Sequence, residues 1–399
     1  GQGMRKLFII TSIAGTLLYG GIFAFWGHDW DLSDPMFFML AFPTGKDFIN
    51  LYAAGQVYAQ SLDLDVIFNS DRYAVFLTDL FKIDVPQYHY VWSYPPSLLL
   101  PARLFAGLPY LPALGLWSIA TLAIYLGGLR LAGLRGWWLV AALLPPAAAV
   151  NLFFGQYGFV LAGLLLGGLS QVGRRPMLAG LLLGLATIKP QLGLLLPVLL
   201  LAQRQWYVMA VAAVTALSLI GLSIALDGMA VWRQYFELIL PVQRMFLETA
   251  SGFFMLLTLT PFMAGKILGL PLAALYGLQL AVGLLCAFGV YRIGRRGPPL
   301  LAMVFTLAAT FLATPYAMAY DLVILAGAGL LLLAARPAWL ETWPRSLSLA
   351  LLWMLPLWWL SVYLVPLAPL IIALFAGQVY STVNLEPSEN RNPRPDPPA

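Results

Sequence analysis

Apolar runs of 14 to 22 residues recur along this chain, divided by short polar or basic stretches. A hydrocarbon core ~30 Å thick takes about 20 residues of helix, so these runs predict a bundle of membrane spans. Residues 7–26 form the first, behind Arg5 and Lys6. Further spans are expected at 110–131, 137–151, 157–171, 206–226, 272–291, 299–314, 322–335, 347–362 and 364–380. The run at 96–107 is too short to cross and reads as a half-helix. The run at 177–201 is interrupted by Lys189-Pro190, and proline disfavours a continuous helix there. It reads as two short helices with Lys189 at their tip. The pattern as a whole predicts an all-α polytopic membrane protein with about twelve transmembrane helices.

Lysine and arginine are retained on the cytoplasmic side of spans. This rule puts Arg130, Arg135, Arg174, Arg175, Arg204, Arg292, Arg295, Arg296, Arg336 and Arg345 inside, with Glu341 the one acid among those loops. Both chain ends then lie in the cytoplasm. Residues 27–95 form a large external loop holding nine of the seventeen carboxylates and three basic residues, and 227–270 form a second external segment. The transmembrane domain is expected to cover residues 1–383. The tail at 384–399, with five prolines, is expected to be a disordered cytoplasmic segment.

Two pieces of the external loops carry helical spacing of apolar side chains. Residues 47–60 place Phe48, Leu51, Tyr52 and Gly55 on one face. Residues 229–246 place Trp232, Tyr235, Phe236, Ile239 and Phe246 against Arg233, Glu237 and Arg244. Both read as amphipathic helices lying in the membrane interface.

Composition agrees with this architecture. Of the 399 residues, 61% are hydrophobic and 10% charged. Mean hydropathy is +0.83. That is too little polar surface for a soluble domain and excludes a disordered chain or a coiled coil. The net charge of +5 follows from the cytoplasmic arginines and gives no reason to expect nucleic acid as a partner. One cysteine, Cys286, excludes an intrachain disulfide, and two histidines, His28 and His89, cannot build a His-rich metal site. No phosphate-loop, dinucleotide or zinc-protease motif occurs. Asp29, Asp31 and Asp34 read as a hydrated acidic loop, and no metal site is assigned. Gly180 and Gly184 suit close helix packing.

Charges beside membrane spans are costly and so mark candidate chemistry. Asp47 reads either as a helix N-cap or as a carboxylate base for an acceptor hydroxyl. Lys189 reads as a snorkelling lysine or as a phosphate ligand. Asp321, with Tyr316 and Tyr320 before it, reads as an N-cap or as part of a sugar or phosphate site. In the aromatic run 88–96, most side chains read as interfacial anchors, with Tyr94 shaping a turn near the site and His89 adding a titratable group. Arg103 reads as a phosphate partner or a snorkelling side chain.

Several pieces, taken in order, resemble a known family. They are Gly45-Lys46-Asp47-Phe48 followed by Leu51 and Tyr52, Tyr94-Pro95-Pro96, Gly155-Gln156-Tyr157-Gly158, the stretch 184–191 ending Lys189-Pro190-Gln191, and Thr314-Pro315-Tyr316 with Tyr320-Asp321. Over roughly residues 1–380 the chain resembles the GT-C integral membrane glycosyltransferases, and among them glycosyltransferase family 87, the polyprenyl-phosphate-mannose-dependent mannosyltransferase-like group. It departs from that pattern at Thr314 and Tyr316, where members often carry serine and histidine.

The resemblance implies a GT-C-type fold in a bacterial-type inner or plasma membrane, with its active site on the extracytoplasmic side. It implies a polyprenyl-phosphate sugar as co-substrate, a lipid-linked or exported glycan as acceptor, and inversion at the anomeric carbon. Mannose or another hexose or pentose would be moved. Asp47 would be the catalytic base and Lys189 would stabilise the leaving phosphate. Gln156, Tyr157, Tyr94 and Tyr320 would contact sugar or phosphate, and His89, Arg103, Tyr316 and Asp321 complete the candidate binding set. No cofactor is assigned, and a requirement for a divalent cation stays open. The competing reading is a transporter or flippase of lipid-linked sugars, which would favour internal repeats and helices broken at midplane; the sequence shows no convincing repeat.

Overall fold

The computed structural model describes residues 2–26, 38–39, 42–82, 91–249, 253–356 and 364–385. Asp29, Asp31, Asp34, His28, His89 and the tail from 386 onward lie outside these residues. Helix α1 (Gln2–Trp26) covers the first expected span. A two-residue strand pair, β1 (Phe38–Met39) and β2 (Phe42–Pro43), precedes α2 (Phe48–Ala59), α3 (Asp65–Phe68) and α4 (Ser70–Phe81). The 96–107 segment is a broken helix, with one turn at Pro96–Leu98, then α5 (Leu99–Ala102), then a turn at Arg103–Phe105. There follow α6 (Tyr110–Leu131), α7 (Trp137–Ala141), α8 (Pro146–Phe154), α9 (Gly158–Gln171), α10 (Pro176–Leu185), α11 (Leu196–Ala202) and α12 (Trp206–Asp227).

The segment at 227–270, expected to be external, is α13 (Ala230–Gln234), a π-helical stretch Tyr235–Ile239, α14 (Leu240–Thr249), α15 (Phe253–Leu257) and α16 (Pro261–Ile267). The chain closes with α17 (Leu272–Arg296), α18 (Pro299–Ala313), α19 (Val323–Ala335), α20 (Trp343–Met354) and α21 (Leu367–Leu385). Helix α21 runs two residues past the expected domain end at 383.

Among the described residues, α6, α12 and α17 are both long and apolar enough to cross a membrane, and six shorter apolar segments accompany them. The expected count of about twelve spans is therefore not confirmed by the described residues. The expected span at 137–151 is instead α7 and α8, divided before Pro145-Pro146, because proline removes a backbone donor and clashes with the preceding turn. The expected pair of short helices at 177–201 is present. Lys189, at φ −134°, sits in the extended break between two one-turn 3-10 segments.

Helices α6 and α9 cross in backbone contact. A Cβ on Gly128 would fall 2.2 Å from the Gly163 carbonyl oxygen. Helix α10 lies against α12 in the same way, since a Cβ on Gly180 or Gly184 would meet the Val211 or Thr215 side chain at 2.5 Å. Gly128→Leu is therefore expected to drive α6 from α9 and prevent recovery of folded, monodisperse protein in detergent, as overpacking against backbone has no side chain to relax. A wild-type elution profile and melting temperature for that variant would refute the crossing. By contrast α12 turns Val214, Leu217 and Leu222 outward as large exposed apolar side chains, a surface suited to lipid.

The two helices expected to lie in the membrane interface differ from each other. Helix α2 is not interfacial: Phe48 through Val57 are all buried. Its apolar face was expected to meet headgroups, but it meets protein instead. Tyr52 Oη donates to the Leu108 carbonyl at 2.7 Å and Gln56 Nε2 to the Phe105 carbonyl at 2.8 Å. A Cβ on Gly55 would lie 2.6 Å from the Ala102 carbonyl oxygen. The broken 96–107 segment thus covers α2. The 230–249 stretch keeps Phe236, Leu238 and Met245 exposed beside Arg233 and Arg244.

Candidate active site

Asp47 ends a turn docked on the C-terminus of α8. Gly45 N donates to the Phe153 carbonyl and Asp47 N to the Phe154 carbonyl, each at 2.9 Å. Two glycines allow the approach. Gly45 (φ +68°) and Gly155 (φ +62°) occupy the left-handed region that glycine tolerates. A Cβ on Gly155 would also lie 2.7 Å from Phe48 Cβ. Gly158 serves the same meeting from the other side, since a Cβ there would fall 2.3 Å from Asn151 Oδ1 and 2.6 Å from the Tyr320 carbonyl oxygen. Gly45-Lys46-Asp47 and Gly155-Gln156-Tyr157-Gly158 are therefore two halves of one junction, which also receives Tyr320.

The Asp47 side chain makes no capping hydrogen bond to α2, and its backbone is already right-handed helical. The N-cap reading does not describe it. Its Oδ2 accepts from Gln156 Nε2 at 2.6 Å, and Lys46 Nζ lies 3.5 Å from Oδ1. The side chain is 16% exposed, so the carboxylate is oriented yet reachable.

Around it stand aromatic and amide groups. The Tyr94 ring packs 4.9 Å from Tyr157, and Tyr157 packs 5.1 Å from Trp117. The Tyr94 phenol meets the Gln156 and Asn50 side chains; burial, reinforced by the Asp47 charge, pushes it well above its ordinary range. It stays a neutral hydrogen-bonding group at neutral pH. Asn50 is held in turn by Tyr73, whose Oη donates to Asn50 Oδ1 at 2.6 Å. Thr44 Oγ1, Asn151 Oδ1 and Tyr157 Oη are buried with no hydrogen-bond partner among the described residues. Three orphaned polar atoms next to one oriented carboxylate suit a site that completes its hydrogen bonding with a substrate.

Lys189 and Asp321 come together from residues 132 apart in sequence. Lys189 Nζ lies 2.7 Å from Asp321 Oδ1, with side chains 9% and 0% exposed. Asp321 Oδ2 accepts from Met318 N at 3.0 Å, reaching back from the third residue of its turn and not from the N-cap. The ammonium also sits 5.1 Å from the Tyr320 ring centroid. Lys189 therefore does not snorkel. The Tyr320 ring also packs 5.9 Å from that of Phe154, whose carbonyl accepts from Asp47 N, so Tyr320 links the ion pair to the Asp47 junction.

Two candidates lie elsewhere. Arg103 Nη2 pairs with Asp227 Oδ1 at 2.5 Å and its guanidinium covers the Tyr58 ring at 4.2 Å. Tyr58 Oη donates to the same oxygen at 2.9 Å. This clamp fastens the 96–107 segment to the end of α12. Tyr316 packs with the Phe262 and Met263 cluster and faces Glu248 and Arg244. His89 is outside the described residues. Asn50, Tyr73 and Lys46 were not singled out from sequence. Asn50, three residues after Asp47 on the same helical face and polar within an apolar run, was the available signal. Tyr73 offered none.

A strongly apolar helical bundle thus presents one oriented carboxylate, closely packed aromatic rings and a buried ammonium. The chain belongs to glycosyltransferase family 87, whose sequence profile matches residues 92–315, more than half of its length. No curated protein and no solved structure matches it. The protein is thus a membrane glycosyltransferase. The matched stretch contains Tyr94, Gln156, Tyr157 and Lys189. Asp47 lies before it and Asp321 after it, and the fold carries both to the same place.

Proposed function

We propose that this chain is an inverting glycosyltransferase that moves a sugar, mannose or another hexose or pentose, from a polyprenyl-phosphate donor to a hydroxyl of a lipid-linked or exported glycan. The reaction would take place on the extracytoplasmic face of a bacterial-type inner or plasma membrane. The observation that carries the reading is the Gln156-oriented, solvent-reachable Asp47 carboxylate in the same polar cluster as the Lys189–Asp321 pair.

The acceptor oxygen attacks the anomeric carbon and Asp47 takes its proton. The bond from that carbon to the phosphate oxygen breaks, and its electron pair leaves with the polyprenyl phosphate. The leaving group is already acidic, so no second carboxylic acid is needed to protonate it, unlike the paired carboxylates of hydrolytic glycosidases. Lys189 has two N–H groups beyond the one aimed at Asp321, and these would stabilise the charge growing on the phosphate. Lys46 is the more accessible cation, but it sits on the carboxylate itself. In an in-line displacement the base and the leaving group lie on opposite sides of the reacting carbon, so Lys46 is the poorer phosphate ligand. Tyr94, Tyr157 and Tyr320 offer faces and hydroxyls to the sugar.

The test is release of polyprenyl phosphate from a panel of polyprenyl-phosphate sugars by the purified protein, with a membrane lipid extract as acceptor. Analysis of the anomeric configuration of the product follows. Release with inversion supports the reading. Movement of intact donor across a vesicle membrane, without release, would establish a flippase instead. Within the same assay Gln156→Leu is expected to lower turnover about tenfold to a hundredfold, because the base loses its orienting donor. Unchanged turnover would show that Gln156 does not position Asp47.

A further inference from the structure

A cavity of about 990 Å³ opens at the end of the bundle remote from Asp47. Helix α9 begins beside Tyr157 and ends at this cavity; at 1.5 Å per residue its 14 residues separate the two by about 21 Å. Leu169, Leu199, Met303 and Leu331 give the cavity apolar walls, and Arg174, Arg204, Arg295 and Arg296 line it as well. No carboxylate is among its lining residues, and none of these arginines is ion-paired with a carboxylate among the described residues.

Arginines at this end have an ordinary explanation. They mark the retained side of the membrane, and those in the last turn of α17 also oppose its dipole. Arg204 shares the first of these reasons but occupies an unusual backbone position. Helix α11 ends in a Schellman motif, with Arg204 N donating to the Leu201 carbonyl at 3.0 Å and Gln205 N to the Leu200 carbonyl at 2.9 Å. The residue at that position takes a left-handed conformation and is usually glycine. Here it is Arg204, at φ +56°. At the end of α6 the chain uses Gly133, at φ +111°, in the corresponding place. The other described non-glycine residues with positive φ, Ser61 and Lys82, are not at this cavity. A glycine would satisfy the turn with less strain, so Arg204→Gly removes the guanidinium without disturbing the backbone.

The depth of the cavity indicates what it meets. Trp206 and Tyr207 directly follow Gln205, which lines the cavity, and are both exposed. Exposed tryptophan and tyrosine at helix ends mark the headgroup level of a bilayer, and the apolar face of α12 continues outward from them. We propose that this cavity is a phosphate-binding site for the headgroup of an anionic lipid, gripped by Arg174, Arg204, Arg295 and Arg296, with the acyl chains along α12. Forked guanidinium donors match phosphate oxygens two at a time, and basic pockets between helix ends are suited to lipid headgroups.

The experiment uses the full chain in detergent and measures binding of dioleoylphosphatidylglycerol, dioleoylphosphatidylcholine and inorganic pyrophosphate by native mass spectrometry and titration. Wild type is expected to bind the anionic lipid at least tenfold more tightly than the zwitterionic one, with affinity falling as salt rises. Arg204→Gly is expected to weaken the anionic lipid about tenfold, while its melting temperature without lipid is unchanged or higher. That opposite movement separates lost recognition from lost folding. Arg296→Gln should weaken binding similarly. Equal binding of the two lipids, or unchanged affinity in Arg204→Gly, would overturn the proposal. Tight binding of pyrophosphate that displaces the lipid and is lost in Arg204→Gly would keep the phosphate chemistry but overturn the lipid source.

Discussion

Asp47→Asn is expected to fold normally and to transfer sugar at least a hundredfold to ten-thousandfold more slowly than wild type, the range that a positioned general base supplies. The substitution keeps size and polarity. The remaining amide oxygen still accepts from Gln156 Nε2, which now reaches Asp47 Oδ2 at 2.6 Å. What is lost is the ability to take a proton. Stability should barely change, because the side chain caps no helix and keeps contact with solvent. Among the described residues its ion pair is the 3.5 Å approach of Lys46, a separation too long for a strong charge-assisted hydrogen bond. The measurement is turnover of the responding donor alongside a melting curve. Activity within tenfold of wild type, at an unchanged melting temperature, would remove Asp47 from the chemistry.

The match to family 87 starts at Trp92, so the placement of Asp47 rests on the fold. The docking of 45–48 onto α8 is governed by steric contacts at Gly45, Gly155 and Gly158. Those glycines stand in the sequence, but their shared purpose does not, because nothing in either motif states that the two meet. Lys189 is a different case. The lysine before Pro190 broke the apolar run visibly, and the break at φ −134° follows from proline chemistry alone. Its partner, Asp321, was also visible, but the pairing across 132 residues required the fold.

Amphipathic spacing was the weakest guide. In α2 it correctly marked an apolar face, yet the same pattern serves a headgroup layer or a protein neighbour, and here the 96–107 segment fills that role. A lone charge was equally ambiguous. Arg103 has the chemistry of a phosphate ligand, and Asp227, 124 residues away, takes it instead. The Asn50–Tyr73 support beneath Tyr94 escaped notice because hydrogen-bonded pairs of neutral side chains leave no spacing signature.

Breaking the Lys189–Asp321 pair should separate stability from catalysis. Removing one member of a buried pair leaves an uncompensated charge and destabilises by about 3–5 kcal/mol. Both side chains are almost fully withdrawn from solvent, so screening gives little relief. Lys189→Met and Asp321→Asn are each expected to lower the melting temperature clearly. The double variant Lys189→Met/Asp321→Asn contains no stranded charge, and its amide oxygen can still accept from Met318 N, the second contact of Asp321. Most of the lost stability should return. Transfer should not return with it. Without the Lys189 ammonium the leaving phosphate loses a preorganised donor, a loss on the order of a hundredfold to a thousandfold in turnover. A stable double variant that transfers sugar at the wild-type rate would reduce the pair to a structural fastening between the Lys189-Pro190 break and the start of α19. A stable double variant that binds donor but does not release polyprenyl phosphate would place the ammonium at the leaving group.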